Sequence, residues 1–350
     1  MVTASVISDA GGAAAVVARA FALAATVGMA GAALFRMVVI PTGIAVADDA
    51  VGRRVADAGL AAALVAVLAT TIRIVLQAEA FASPGDAQLP LIATVARTTW
   101  GRAALIMIAA SAVSAWGFGG ARRGVAGRWW QAAVGALVAC VAPAFMGHAA
   151  GQETAGSLAI AADTAHTIAA AGWAGGVLML VLTARALASD ADGGSRMAEL
   201  ITRFRVPALA CAGTLLATGL LAAALRLRTP GDLVTSTYGN LLVAKAALVG
   251  IAAALGRRHS ATAAARSAAG GSAAVWRSIA FEAAVFALVL AVALVVTQLV
   301  YPQVPGGWVM PMTAVTVWLF LGASLAASWA RSGPAYALGL DRKSTRLNSS

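Results

Sequence analysis

The chain has 350 residues, of which 61% are hydrophobic and only 11% charged, and its mean hydropathy is +0.85. Soluble domains carry about 25% charged residues, so this composition excludes a water-soluble fold and points to a polytopic membrane protein. The formal charge of +11 does not indicate nucleic acid as a partner, because the arginines fall in short clusters between apolar runs, as they do in cytoplasmic loops.

Residues 1–11 contain Asp9 and no basic segment, so no cleaved signal peptide is expected and the first apolar run is predicted to remain as a helix. A spanning helix takes about 20 mostly apolar residues. Nine runs qualify, near 13–35, 56–77, 100–119, 129–148, 158–182, 205–226, 239–256, 277–300 and 312–330. No strand-like alternation competes with them, and a bilayer admits only helices or closed barrels. The predicted fold class is therefore all-α, a polytopic helical bundle of about nine transmembrane helices.

The connections 1–2, 3–4, 5–6 and 7–8 hold Arg36, Arg53 and Arg54; Arg122, Arg123 and Arg128; Arg185, Arg196, Arg203 and Arg205; and Arg257, Arg258, Arg266 and Arg277. The alternate connections hold only Arg97, Arg102, Arg226 and Arg228. This asymmetry places the first set in the cytoplasm, the N-terminus outside and the C-terminus inside. The expected organisation is an N-terminal three-helix part over 1–128, a membrane core over 129–300 and an additional C-terminal transmembrane helix within 301–340. The final DRKSTRLNSS (341–350) is polar, unlike the Ala/Gly/Val-rich chain before it, and reads as a non-native, adapter-derived tail. Cys140 and Cys211 lie singly in apolar runs, with no CxxC pair, and are expected to be core residues rather than a disulfide or a thiolate metal site.

An ionisable group at the centre of a span costs about 2.5–3.5 kcal/mol on insertion scales, so each is a site candidate. The densest group is GHAAGQETAGSLAIAADTAHTIAAAGWAGG, residues 147–176. Asp163 and His166 are predicted one turn apart in the outer part of the fifth span, on one helix face continued by Trp173. His148 ends the fourth span, Met146 precedes it, and Glu153 lies in the connection. Met107 falls in the outer third of the third span, and VMPM places Met310 and Met312 just outside the ninth. Imidazole and thioether donors suit copper, thioether favouring Cu(I); Mg²⁺ or Ca²⁺ would want oxygen. Against this stand ordinary roles, since methionines in membrane helices pack and interfacial histidines hydrate. Arg73 and Lys245, in the outer halves of their spans, either snorkel outward or pair with Asp163. Glu282, about one turn into the eighth span, either caps or pairs with an arginine such as Arg277, or supplies a carboxylate to the inner leg of an ion path.

The GHA turn, the H-x6-W-x-GG helix carrying His166, Trp173, Gly175 and Gly176, the YGNLLVAK start of the seventh run, and the Arg-Ser-x3-Glu start of the eighth together resemble the copper resistance protein D (CopD) family, best over residues 146–298. The resemblance implies a multi-pass protein of the bacterial inner membrane that moves copper, beside a periplasmic copper-binding protein of the copper resistance protein C type. Its matching positions are His148, His166, Trp173, Gly175, Gly176, Tyr238, Gly239, Lys245 and Glu282. Gly175 and Gly176 are expected to let a neighbouring helix approach closely, and Trp173 to pack behind the histidine. The chain carries no fused copper-binding domain and no long Met- or His-rich external segment, so capture of copper would fall to a separate partner or to the membrane-face residues.

The leading expectation is a copper permease with an outer-face site of His148, His166, Asp163, Met146, Met107, Met310 and Met312, taking Cu(I) or Cu(II), with Asp163 orienting or charge-balancing His166. No GxxxxGK[ST] motif is present, so ATP is not expected to drive it directly. Two alternatives are a b-type haem protein with His148 and His166 as axial ligands, and a non-transporting scaffold that delivers copper. No Ser–His–Asp spacing, HExxH helix or paired catalytic carboxylates point to an enzyme.

Overall fold

The computed structural model describes residues 2–40, 50–83, 87–146, 156–187 and 193–224, and positions within 227–250. The seventh apolar run lies only partly within these residues; the eighth, the ninth and the tail lie outside them. The described residues form helices α1 (Val2–Val38), α2 (Ala50–Glu79), α3 (Gln88–Arg97), α4 (Thr99–Ala121), α5 (Arg128–Met146), α6 (Gly156–Ala170), α7 (Gly176–Leu187), α8 (Gly193–Ala224) and the short α9 (Asp232–Thr235). A π turn, Ala171–Gly175, joins α6 to α7 without a break, so the two helices make one span. There is no strand among the described residues. Six segments are long and apolar enough to cross a membrane: Ala14–Val38, Ala50–Glu79, Thr99–Ala121, Arg128–Met146, Gly156–Ala184 and Ser195–Ala224. They correspond to the first six predicted runs, and the protein is a multi-pass membrane protein.

Its packing is that of a bundle in lipid. The buried face of α2 is Gly52, Val55, Ala56, Gly59, Ala63, Ala66, Ala69, Thr70, Ile74 and Ala78, a stripe at three- and four-residue intervals made mostly of small side chains. Many large ones point outward instead, as with Leu64, Leu68, Trp116, Trp130 and Leu220. Lipid tails are as apolar as leucine, so burying large apolar side chains gains little there; small residues let backbones close to van der Waals contact instead. Gly59 accommodates the Phe118 ring. On the α4–α5 seam, Gly117 abuts Ala132, Gly135 abuts Ala110 and Ser114, and the Ser114 hydroxyl donates to the Ala132 carbonyl at 2.8 Å.

These contacts also give the helix directions. Gly28 meets Ala62 while Ala22 and Ala69 share a cluster, so α1 and α2 are antiparallel. The same reasoning from Gly59–Phe118 and the Ala69–Met107 cluster orients α2 against α4, and Ser114–Ala132 with the Met107–Ala142 cluster orients α4 against α5. One end of the bundle therefore gathers the start of α1, the end of α2, the start of α4, the end of α5, the start of α6 and the end of α8. The opposite end holds most of the arginines among the described residues. There Arg122 pairs with Asp57 at 3.1 Å, Arg36 lies over the Trp129 ring and Arg128 over the Trp116 ring.

Two local features go beyond the predicted runs. Helix α3 is a ten-residue helix between the second and third spans, docked through Leu91, Ile92 and Val95 on Ile74, Ala78 and Ala104. A sharp corner joins it to α4, where the Thr98 hydroxyl donates to the Val95 carbonyl at 2.6 Å and its oxygen accepts from the Gly101 N–H at 3.0 Å. The π turn is the second. A Cβ on Gly175 would lie 2.5 Å from the Val27 carbonyl oxygen and 2.7 Å from Gly31 Cα, and one on Gly31 would lie 2.5 Å from Gly175 Cα. Backbone faces backbone here, so neither side can yield by a rotamer change. Gly175→Ala is expected to lower stability by about 1–3 kcal/mol, read as a lower thermal midpoint in detergent. Gly119→Ala, where a Cβ meets nothing within 4 Å, should leave the midpoint unchanged or slightly raised.

Candidate metal site

The end of the bundle that gathers α1, α2, α4, α5, α6 and α8 holds Met107, Met146, Asp163 and His166, the candidate donors of the sequence that fall within the described residues. Met107 sits two turns into α4 and is fully buried, in a cluster with Ala22, Ala69 and Ala142; Met146, the last residue of α5, packs against that cluster. Two thioethers 39 residues apart in sequence are thus brought to one wall of the bundle. The α3–α4 corner sets the start of α4 and hence the depth of Met107, and Met146 also packs against the cluster that α3 makes with α2 and α4.

Asp163 and His166 are half-buried on successive turns of α6. The Thr167 hydroxyl donates to the Asp163 main-chain carbonyl at 2.9 Å. His166 reaches across to α8, where its Nδ1 lies 2.9 Å from Thr218 Oγ1. Two turns beyond, Trp173 is buried in the π turn. The glycines around it seat three neighbours: Gly172 faces Cys211 Sγ of α8, Gly175 faces Gly31 of α1, and Gly176 faces the Phe204 ring of α8. The turn that follows His166 is thereby clamped between α1 and α8, which fixes the height of α6 in the bundle.

Arg73 occupies the same end. Its guanidinium lies 5.5 Å from the centre of the Trp100 ring, a cation–π contact, and Arg19 of α1 is close enough to repel it. Beside Met107, the hydroxyls of Thr70 and Ser111 are fully buried and have no hydrogen-bond partner among the described residues. Most of the other threonines on these helices back-bond to a carbonyl three or four residues earlier, as Thr26, Thr71 and Thr214 do.

His148, Glu153, Tyr238, Lys245, Glu282, Met310 and Met312 lie outside the described residues. Among the described residues, no three of His, Cys, Asp and Glu converge on one point. They place Met107 and Met146 in one cluster and Asp163 and His166 on successive turns of α6, both toward the same end of the bundle. The chain following α8 returns to that end. There Ser236 has extended backbone, its oxygen accepts from the Gly239 N–H at 2.9 Å, and Asn240 N–H donates to the Ser236 carbonyl at 3.0 Å. These are the bonds of a helix start, and they place the beginning of the seventh run at Gly239. Thr218 has no role in the sequence reading. Its only signal there is the Thr214/Thr218 pair in TLLAT, one turn apart near the end of the sixth run, and such hydroxyls commonly satisfy themselves on their own helix.

Met107 separates packing from chemistry cleanly. Met107→Ala empties a fully buried position and is expected to cost about 2–5 kcal/mol of stability. Met107→Leu keeps the volume and should cost less than about 1.5 kcal/mol while removing the sulfur. Thermal unfolding of the two variants in detergent checks the ordering.

The sequence profile of the copper resistance protein D-like N-terminal domain matches residues 7–158, and that of copper resistance protein D matches residues 198–296. The first covers α1 to α5, where the sequence carries no sharp motif of its own. The second begins within α8 and includes Thr218. Asp163, His166 and the π turn lie between the two matched segments. No curated protein and no solved structure matches the chain. With two profiles of one family spanning most of its length, on a bundle of apolar membrane-length helices, the chain belongs to the copper resistance protein D family.

Proposed function

We propose that the protein is a copper permease of the bacterial inner membrane, with N-terminus outside and nine spans, and that copper is its cargo rather than a reactant in any enzymatic step. The observation that supports this reading is the shared cluster of Met107 and Met146 at the end of the bundle toward which α6 holds Asp163 and His166, the end opposite most of the described arginines. By the excess of positive charge on cytoplasmic connections, that end faces outward. His148 follows Met146 by two residues, and Met310 and Met312 precede the ninth run, so both belong to the same end in this topology.

The chemistry suits a monovalent soft cation. Thioethers bind Cu(I) without adding charge, so Met107 and Met146 can replace water around the ion while leaving its charge to be balanced elsewhere. Asp163 supplies that balance one turn from His166. Thr70 and Ser111 add oxygen donors beside Met107. On the inner leg Glu282 offers a carboxylate, and in the outer half Lys245 and Arg73 set the polarity of the path. No ATP-binding motif accompanies the spans, so the driving force is the membrane potential or a copper gradient maintained by partners. A periplasmic copper-binding protein of the copper resistance protein C type delivers the ion.

The test is titration of the purified protein with Cu(I) against a competing chromophoric chelator. Wild type should bind tightly, His148→Ala/His166→Ala should lose that binding, and Met107→Leu should weaken it by about 10-fold or more, at least 1.4 kcal/mol. Equal, weak binding by wild type and the double variant would sink the metal site. Isotopic copper uptake into proteoliposomes then decides transport, because a delivery scaffold leaves the lumen empty. A Soret band lost in His166→Ala would assign the histidines to haem instead.

A further inference from the structure

The bond between His166 and Thr218 joins residues 52 apart in sequence, on α6 and α8. Thr218 is 5% exposed, and its hydroxyl oxygen lies 2.7 Å from the Thr214 carbonyl and 3.3 Å from the Leu215 carbonyl. A threonine hydroxyl has one proton and two lone pairs. Two carbonyl oxygens this close to Oγ1 leave that proton only one favourable direction, toward Thr214. If the proton turned to the imidazole instead, two acceptor oxygens would face each other at 2.7 Å with no hydrogen between them. The Thr218 oxygen is therefore the acceptor and His166 Nδ1 the donor. With Nδ1 protonated, the lone pair of the neutral ring lies on Nε2. An imidazole side chain in water favours the opposite tautomer, so α8 imposes this one.

We propose that Thr218 is a positioning residue, which holds His166 as its Nδ1–H tautomer and so presents Nε2 as the metal-binding nitrogen. The proposal deepens the permease reading and rests on its assignment of His166 as a copper ligand. Metal-ligating histidines are generally oriented by an acceptor on the ring nitrogen that does not bind the metal, and losing that acceptor weakens metal binding by about 10–100-fold. Thr218 also ties the ligand to the neighbouring helix. The hydrogen bond bridges α6 and α8 above the seat of Cys211 on Gly172, so any shift of α8 along α6 would turn the ring. Asp163, one turn earlier on the same helix, supplies charge; Thr218 supplies direction.

The experiment uses the full chain with ¹⁵N-labelled histidine in detergent, where His148, His166 and His259 are the only imidazoles. The ring nitrogen shifts of metal-free His166 should show Nδ1 protonated and Nε2 unprotonated. Thr218→Val, which keeps the shape and removes the hydroxyl, should move His166 toward the Nε2–H form and weaken Cu(I) binding by about 10–100-fold in chelator competition. Thr218→Ser should restore both. Wild-type His166 found as Nε2–H would overturn the proposal, as would a folded Thr218→Val protein with unchanged tautomer and affinity; in both cases tight wild-type copper binding would leave the permease reading standing. Wild type that binds no copper overturns the permease reading, and with it any metal-presenting role for Thr218, whatever the tautomer. If Thr218→Val does not fold, the wild-type tautomer and the Thr218→Ser affinity still decide.

Discussion

The crossing of α1 over the π turn at Gly31 and Gly175 is the contact on which the rest of the described bundle depends. In a bilayer, apolar side chains gain little from leaving lipid for a protein interior, so helices hold together by close van der Waals approach and a few interhelical hydrogen bonds. Two glycines meeting backbone to backbone give the closest approach available. The π turn makes room for it by widening the helix locally, a device found mostly as a single turn and often near functional sites. Because Gly172 and Gly176 of the same short segment seat Cys211 and Phe204 of α8, three helices are keyed to one another at a single height.

That keying determines what stands on either side of it. Before the turn, α6 holds Asp163 and His166 toward the end where Met107 and Met146 share a wall; after it, α7 runs into the packed core through Val177, Met179 and Leu180. The donors thus sit on rigid helices rather than on loops, with their depth set by the small-residue seams of α2, α4 and α5. The electrostatics of this end are finely divided. Arg19 and Arg73 place positive charge nearby, with the Arg73 guanidinium held against Trp100. In the proposed permease, a cation entering from this end would meet that field, and the Asp163 carboxylate would serve as local counter-charge. Neutral sulfur and imidazole donors can then bind without making the site so negative that the ion could not leave.

The architecture follows from composition because the bilayer is such a demanding solvent. Every backbone polar group inside it must find a partner within the chain, so an apolar run of sufficient length becomes a helix whatever its neighbours, and the first six runs appear as the six membrane-length segments. The same demand made the half-buried histidine-bearing turn visible, since an ionisable residue in such a run stands out against its background. Helix α3 was not legible because ten residues are too few for a span, and their docking depends on Ile74, Ala78 and Ala104 from two other helices. The π turn was not legible either. It extends the helical path by one residue within an unbroken apolar segment, which the period of the pattern does not register.

The sequence by itself therefore determined the fold class, the order of the described spans and the residue types able to meet a soft metal ion, all properties of a residue and its immediate neighbours along the chain. Tertiary structure alone decided which of those residues stand together. Met107 reaches Met146 only because α4 and α5 pack antiparallel along an Ala/Gly/Ser seam. His166 reaches Thr218 only because Gly172 and Gly176 bring α8 against the π turn. Both pairings depend on the register of one helix against another, which van der Waals contact sets to within about an ångström and which no run of hydropathy encodes.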